Sequence, residues 1–162
     1  MLISTVRYLA VVLTALTLGI AFGHLLEIDG KLKLDGATWL AVQHHLYHGF
    51  RTIGVAVQFG AALAAGLLAW LLRHRCLVLG PALAAFICLV AQLGVWLLVN
   101  EPIDADTARW TAPALPANWQ DYRNAWEAAH ASRAGLDFLA LTALVVGLLI
   151  DGQRAVPRRL PA

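Results

Sequence analysis

From Cys76 to Asn100 the chain carries no charged residue. At about 1.5 Å per helical residue such a run reaches roughly 37 Å, more than a hydrocarbon core of about 30 Å. Only a helix or a closed barrel satisfies its backbone polar groups in lipid, so this stretch reads as a membrane helix. Two further runs point the same way. Tyr8 to Leu26 is interrupted only by His24, and Thr52 to Leu72 is stopped by Arg73-His74-Arg75. Composition agrees: 60% of residues are hydrophobic and 14% charged, whereas soluble domains carry roughly a quarter charged residues. Arg7 ahead of the first run resembles the start of a signal peptide, but the run is long for one and no small-residue cleavage pattern leads into a soluble domain. A retained helix is expected.

The fourth span is less obvious, because Phe138 to Ile150 is too short to cross alone. It must begin earlier, with Asn118 after Pro116 as N-cap and Asp121 in the capping-box position, and end near Asp151-Gly152. The second helix likewise begins near Asp35 or Thr38. The expected architecture is an all-α, four-helix up-down membrane bundle in one domain over 1–162. Its helices run approximately over 5–26, 38–73, 77–100 and 119–151, and loops 27–37 and 101–118 lie on one side. Asp29-Gly30, between short apolar stretches, suits a tight turn or small hairpin.

A net charge of +2 with no basic cluster on an exposed helix excludes a nucleic-acid partner. The expected partners are the lipid bilayer, a small apolar or aromatic substrate, and further copies of the chain. Arg7, Arg73, Arg75, Arg154, Arg158 and Arg159 sit in short segments on one side. Lys31, Lys33 and Arg109 occupy longer loops on the other, with Arg51, Arg123 and Arg133 in predicted helices. By density in short connections, both termini face the cytoplasm of a cytoplasmic (inner) membrane. Cys76 and Cys88 lie on one helix roughly 18 Å apart, beyond disulfide or shared-metal reach.

Polar residues gather where topology brings four helix ends together, on the expected outer face. These ends carry His24 and Glu27; His44, His45, His48 and Arg51; Asn100 and Glu101; and Arg123, Glu127, His130 and Arg133. His74 is the one histidine elsewhere. At about 100° per residue, four stripes emerge: Thr17, His24 and Glu27; His44, His48, Arg51 and Gln58; Gln92, Trp96 and Asn100; and Arg123, Glu127, His130 and Asp137. Ionisable groups within a membrane normally face the bundle interior or a wet cavity, so the stripes predict one shared pocket.

Glu127 and His130 form E-x-x-H, the spacing with which di-metal carboxylate bundles hold iron or manganese. His24 with Glu27 reverses it, and His44 with His48 is an i, i+4 pair. Candidate metal ligands are therefore His24, Glu27, His44, His48, Glu127 and His130, suiting iron, copper, manganese or zinc. The bland readings are i, i+4 ion pairs between Arg123 and Glu127 and between Arg133 and Asp137, with Trp39, Trp110, Trp119 and Trp126 as an interfacial belt. Asp137, about two turns beyond His130, is either half of a buried ion pair fixing its helix or a proton-relay carboxyl.

Trp96-Leu97-Leu98-Val99-Asn100, then Pro102, Trp110, Asn118-Trp119 and Trp126-Glu127-x-x-His130-x-x-Arg133, resemble the DUF1772 family of anthrone oxygenase-like four-helix membrane proteins. The resemblance covers roughly the C-terminal half and carries Trp96, Asn100, Arg123, Trp126, Glu127, His130 and Arg133. It implies oxidation of an anthrone-like substrate with molecular oxygen. His24 and the His44-His45-x-x-His48 group lie outside that pattern. The expected function is that of a membrane oxygenase or oxidoreductase for a small apolar or aromatic molecule. Glu127 or His130 would act as base or metal ligand, Arg123, Arg133 or Asn100 would stabilise an oxyanion, and Asp137 would assist. Oxygen is the co-substrate, with or without a transition metal. The alternatives are a haem-binding or electron-transfer protein using a pair such as His48 and His130, and a non-catalytic lipid- or quinone-binding or assembly subunit.

Overall fold

Four stretches are long and apolar enough to cross a membrane: Leu2–Lys31, Thr52–Leu71, Cys76–Thr107 and Trp119–Gln153. The computed structural model describes residues 1–47 and 50–155, except the side chains of 51, 154 and 155. In chain order the helices are α1 (Leu2–Lys31), α2 (Gly36–Leu46), α3 (Val55–Leu71), α4 (Cys76–Val95), α5 (Glu101–Thr107) and α6 (Trp119–Ala155). Single π-helical turns precede α3 (Phe50–Gly54) and follow α4 (Trp96–Asn100). No strand occurs among the described residues. The chain is an all-α four-helix bundle and a multi-pass membrane protein.

The bundle closes as a ring in which α1 packs on α3, α3 on α4, α4 on α6 and α6 back on α1. Its packing inverts that of a soluble core. Small residues fill the helix contacts, with Ala10, Ala61, Ala65, Ala85 and Ala140 fully buried, while Phe22, Leu63, Trp70, Ile87, Leu98 and Phe138 face outward. With lipid outside there is no hydrophobic gain in hiding large side chains, and small ones let the backbones approach closely. Gly66 is such an approach, since a Cβ there would stand 2.9 Å from the Phe86 ring.

One end of the bundle is closed by Arg7, which donates to Asp151 Oδ2 at 2.8 Å, with Arg75 3.6 Å from the same carboxylate. This places the start of α1, the α3–α4 turn and the end of α6 together. The apolar core fills that half, through residues such as Leu68, Leu72, Val78, Leu89 and Leu144. The polar residues occupy the other half.

Helix boundaries differ from the sequence expectation in three places, all at the polar end. The turn expected at Asp29-Gly30 is absent, because α1 continues to Lys31 with no positive φ. Continuation sets Lys31 four residues after Glu27, within ion-pair reach. The expected 101–118 loop begins with a helix, α5, although Pro102 stands in its first turn. Proline lacks an N–H and is tolerated there. The π-helical turn ahead of it lets Glu101 N–H reach back to Trp96 C=O. The second span is interrupted rather than continuous: α2 ends at Leu46 with Tyr47 as its C-cap (φ −100°, ψ 8°), and α3 resumes after the turn at Phe50–Gly54. Residue Asp35, one of the two expected starts of this span, caps α2 by accepting from Thr38 N–H at 3.0 Å.

Candidate functional site

Arg133 on α6 is buried, only 3% exposed. A buried guanidinium must satisfy its N–H groups. It does so with neutral amides from two other spans: Nε donates to Gln92 Oε1 (3.2 Å), Nη1 to Asn100 Oδ1 (3.3 Å) and Nη2 to Gln58 Oε1 (2.5 Å). Asn100 Nδ2 in turn donates to the Trp126 carbonyl at 3.3 Å, tying the π-helical turn to α6. The ion pair between Arg133 and Asp137, one of the two readings of that carboxyl, does not form. Asp137 is fully buried with neither carboxylate oxygen hydrogen-bonded among the described residues. The amide oxygens have taken the guanidinium instead.

Beside Arg133 lies a cavity of about 250 Å³. Tyr47, Phe50, Trp96 and Trp126 supply aromatic walls, and Gln43, His44, Gln58, Asp104, His130 and Arg133 supply polar atoms. Asp104 accepts from Trp126 Nε1 at 2.8 Å, which fixes the indole. The His130 ring lies 4.1 Å from Trp126 and 4.1 Å from His24, centroid to centroid, and its Nδ1 is buried with no hydrogen-bond partner among the described residues. His44 sits at the rim, with Nε2 2.9 Å from the Thr107 carbonyl oxygen.

His24, Glu27 and Glu127 assemble around Lys31, which the sequence pattern places in a loop. Lys31 is 5% exposed. Its Nζ donates to His24 Nδ1 at 3.1 Å, pairs with Glu27 Oε2 at 2.8 Å and stands 3.8 Å from Glu127 Oε1. It also rests 4.8 Å from the Tyr47 ring and 5.0 Å from the Trp126 ring, close enough for cation–π attraction. Tyr47 O–H donates to Glu27 Oε2 at 3.0 Å. Burial, then the Glu27 acceptor, push the Tyr47 phenol well above its ordinary value. Lys31 was legible in principle, since His24, Glu27 and Lys31 share one helical face, but only if the helix is carried through Gly30.

The described site residues divide between the cavity and its surroundings. His130, Arg133 and His44 line the cavity, and Asn100 holds Arg133. Glu127 shares a helix with His130 but belongs to the Lys31 cluster. Arg123 is elsewhere: Nη1 donates to the Leu34 carbonyl at 3.2 Å, and its guanidinium lies 5.0 Å from the Trp119 ring. It therefore ties α6 to the α1–α2 connection, and no Arg123–Glu127 ion pair forms. His48 lies outside the described residues, as does any haem pairing that uses it.

The proposed metal set meets a specific obstacle. Among its described members, His24, Glu27 and Glu127 surround an ammonium that already supplies the positive charge the two carboxylates call for. His44 is bonded to a backbone carbonyl. No three His, Cys, Asp or Glu side chains among the described residues converge as a metal-binding group. Compared with known proteins, the chain matches no family model, no curated protein and no solved structure.

Proposed function

We propose that this chain is a membrane oxidoreductase that binds a small aromatic molecule in the cavity and oxidises it with molecular oxygen. The observation that carries the reading is the aromatic-walled cavity with an imidazole nitrogen unpartnered among the described residues and a fixed guanidinium in one wall. Aromatic walls with a few convergent polar groups are the usual form of a small-molecule site. An activated CH₂ beside aromatic rings is the suitable reacting group. His130 takes one of its protons, and the carbanion passes its electrons to oxygen in two one-electron steps as a C–O bond forms. His130 returns the proton to the peroxide, and loss of the second C–H proton with O–O cleavage leaves a ketone and water. Arg133 stabilises the oxygen-borne negative charge along the way.

In this reading the chain is an anthrone oxygenase-like protein of the DUF1772 type. Support comes from the positions that carry that resemblance, because Trp96, Trp126, His130 and Arg133 all line the cavity and Asn100 braces Arg133. The substrate enters from the lipid. Both termini face the cytoplasm, and the cavity opens towards the outer face.

The test is oxygen uptake by detergent-purified protein supplied with anthrone, measured above the uncatalysed rate. One ketone should appear per oxygen consumed, and His130→Ala should lower the rate roughly 100-fold or more. Anthrone that binds without being oxidised would sink the enzymatic reading and leave the non-catalytic binding subunit.

A further inference from the structure

A guanidinium removed from water is ordinarily paired with a carboxylate, because an amide oxygen accepts a hydrogen bond without cancelling charge. The Arg133 guanidinium instead gives its Nε, Nη1 and Nη2 bonds to Gln92, Asn100 and Gln58. Three engaged bonds leave two of the five guanidinium N–H groups. Two further pocket groups are buried and without a partner among the described residues: Gln43 Nε2, which is a donor, and His130 Nδ1. Asp104 brings a negative charge into the same wall, but its Oδ1 is engaged by Trp126 Nε1. The polar groups left open to a ligand are thus weighted towards donors and include a fixed cation, set among aromatic rings.

We propose that the cavity selects an anionic aromatic ligand, an arene carboxylate or phenolate. The oxygens of Gln58, Gln92 and Asn100 act as positioning groups that orient Arg133 without cancelling its charge, and neither Asp104 nor Asp137 forms an ion pair with it. This deepens the preceding reading and rests on the cavity being a ligand site, but not on any oxidation taking place there. A fatty-acid carboxylate offers the same anion without the rings, and the aromatic walls favour the arene.

Gln92 makes the inference testable, because it is fully buried, bonded to Arg133 Nε and outside the cavity wall. Gln92→Glu keeps an acceptor of nearly the same shape and adds a counter-charge, so any effect on ligand choice must pass through Arg133. Binding of 2-naphthoate, 2-naphthalenemethanol and octanoate would be measured by titration calorimetry in mild detergent, each corrected for partition into empty micelles. Wild-type protein should bind naphthoate at least tenfold more tightly than the alcohol and more tightly than octanoate. That preference should collapse in Gln92→Glu and in Arg133→Gln, so that naphthoate and the alcohol bind within about twofold of one another in each variant; either variant suffices if the other fails to fold. Equal binding of naphthoate and alcohol by the wild type overturns the charge selection and leaves the cavity as an aromatic site. Tighter octanoate binding overturns the aromatic class. A preference that survives both substitutions removes Arg133 as its source, and binding of none of the three probes removes the ligand site on which both proposals rest.

Discussion

At the scale of single residues, Lys31 decides how the polar end is wired. One ammonium stands among His24, Glu27 and Glu127, so removing it leaves two carboxylates close together without the cation between them. Lys31→Met should destabilise the protein by up to about 3 kcal/mol, the low end for a broken buried pair because Glu27 is half in water. Glu127→Gln should cost much less, since Glu127 accepts no hydrogen bond among the described residues and Lys31 keeps Glu27. Thermal unfolding of the two variants in the same detergent checks the order, and equal losses would contradict it. Glu127 also shows the limit of motif reading. E-x-x-H sets a carboxylate and an imidazole on one helix face, but which neighbour each meets is settled by the helices opposite. His130 meets the cavity and His24, and Glu127 meets Lys31.

At the scale of elements, α2 covers the polar end and is held by two local devices. The first is its cap. Asp35 accepts from the backbone N–H of Thr38 at 3.0 Å and from its hydroxyl at 2.7 Å, and the backbone bond holds the carboxyl below its ordinary value of 3.8. A depressed carboxyl stabilises the fold above its unfolded value and loses that contribution as pH falls through the folded one. Amide exchange in α2 should therefore quicken, relative to the intrinsic rate, as pH drops below 3.8. The change should be absent in Asp35→Asn, which keeps an acceptor without the titration. The second device is close packing. A Cβ on Gly36 would stand 2.7 Å from Leu115 Cδ1 and 3.0 Å from the Trp119 ring. Gly36→Ala should then cost roughly 1–3 kcal/mol, read as a lower melting temperature, and an unchanged melt would show that Leu115 yields freely.

At the scale of the whole molecule, the bundle divides into an apolar half and a polar half, with Arg7–Asp151 at one end and Lys31–Glu127 at the other. If both termini face the cytoplasm, Cys76, exposed beside the Arg7–Asp151 end, faces it too. A membrane-impermeant maleimide should label Cys76 in inverted vesicles and spare it in intact spheroplasts, with Cys76→Ser as the control. Labelling from the outside would reverse the orientation and turn the cavity towards the cytoplasm.

Much of this architecture is written in the chain because lipid allows few solutions. Long uncharged runs such as Cys76 to Asn100 must be helices, and short connections must make them antiparallel. The meeting of His24, Asn100, His130 and Arg133 at one end follows from that topology. The partnerships within that end do not follow from it. Sequence spacing offers Arg133 an i, i+4 carboxylate in Asp137, and three amides from across the bundle take its place. Spacing likewise offers Arg123 to Glu127, yet Arg123 turns to the Leu34 carbonyl and Glu127 lies beside a lysine that only an unbroken α1 could deliver. Local periodicity fixes the face a side chain presents, because that depends on one helix alone. Tertiary structure chooses its partner, because a buried charge settles on whichever acceptors the neighbouring helices bring within reach.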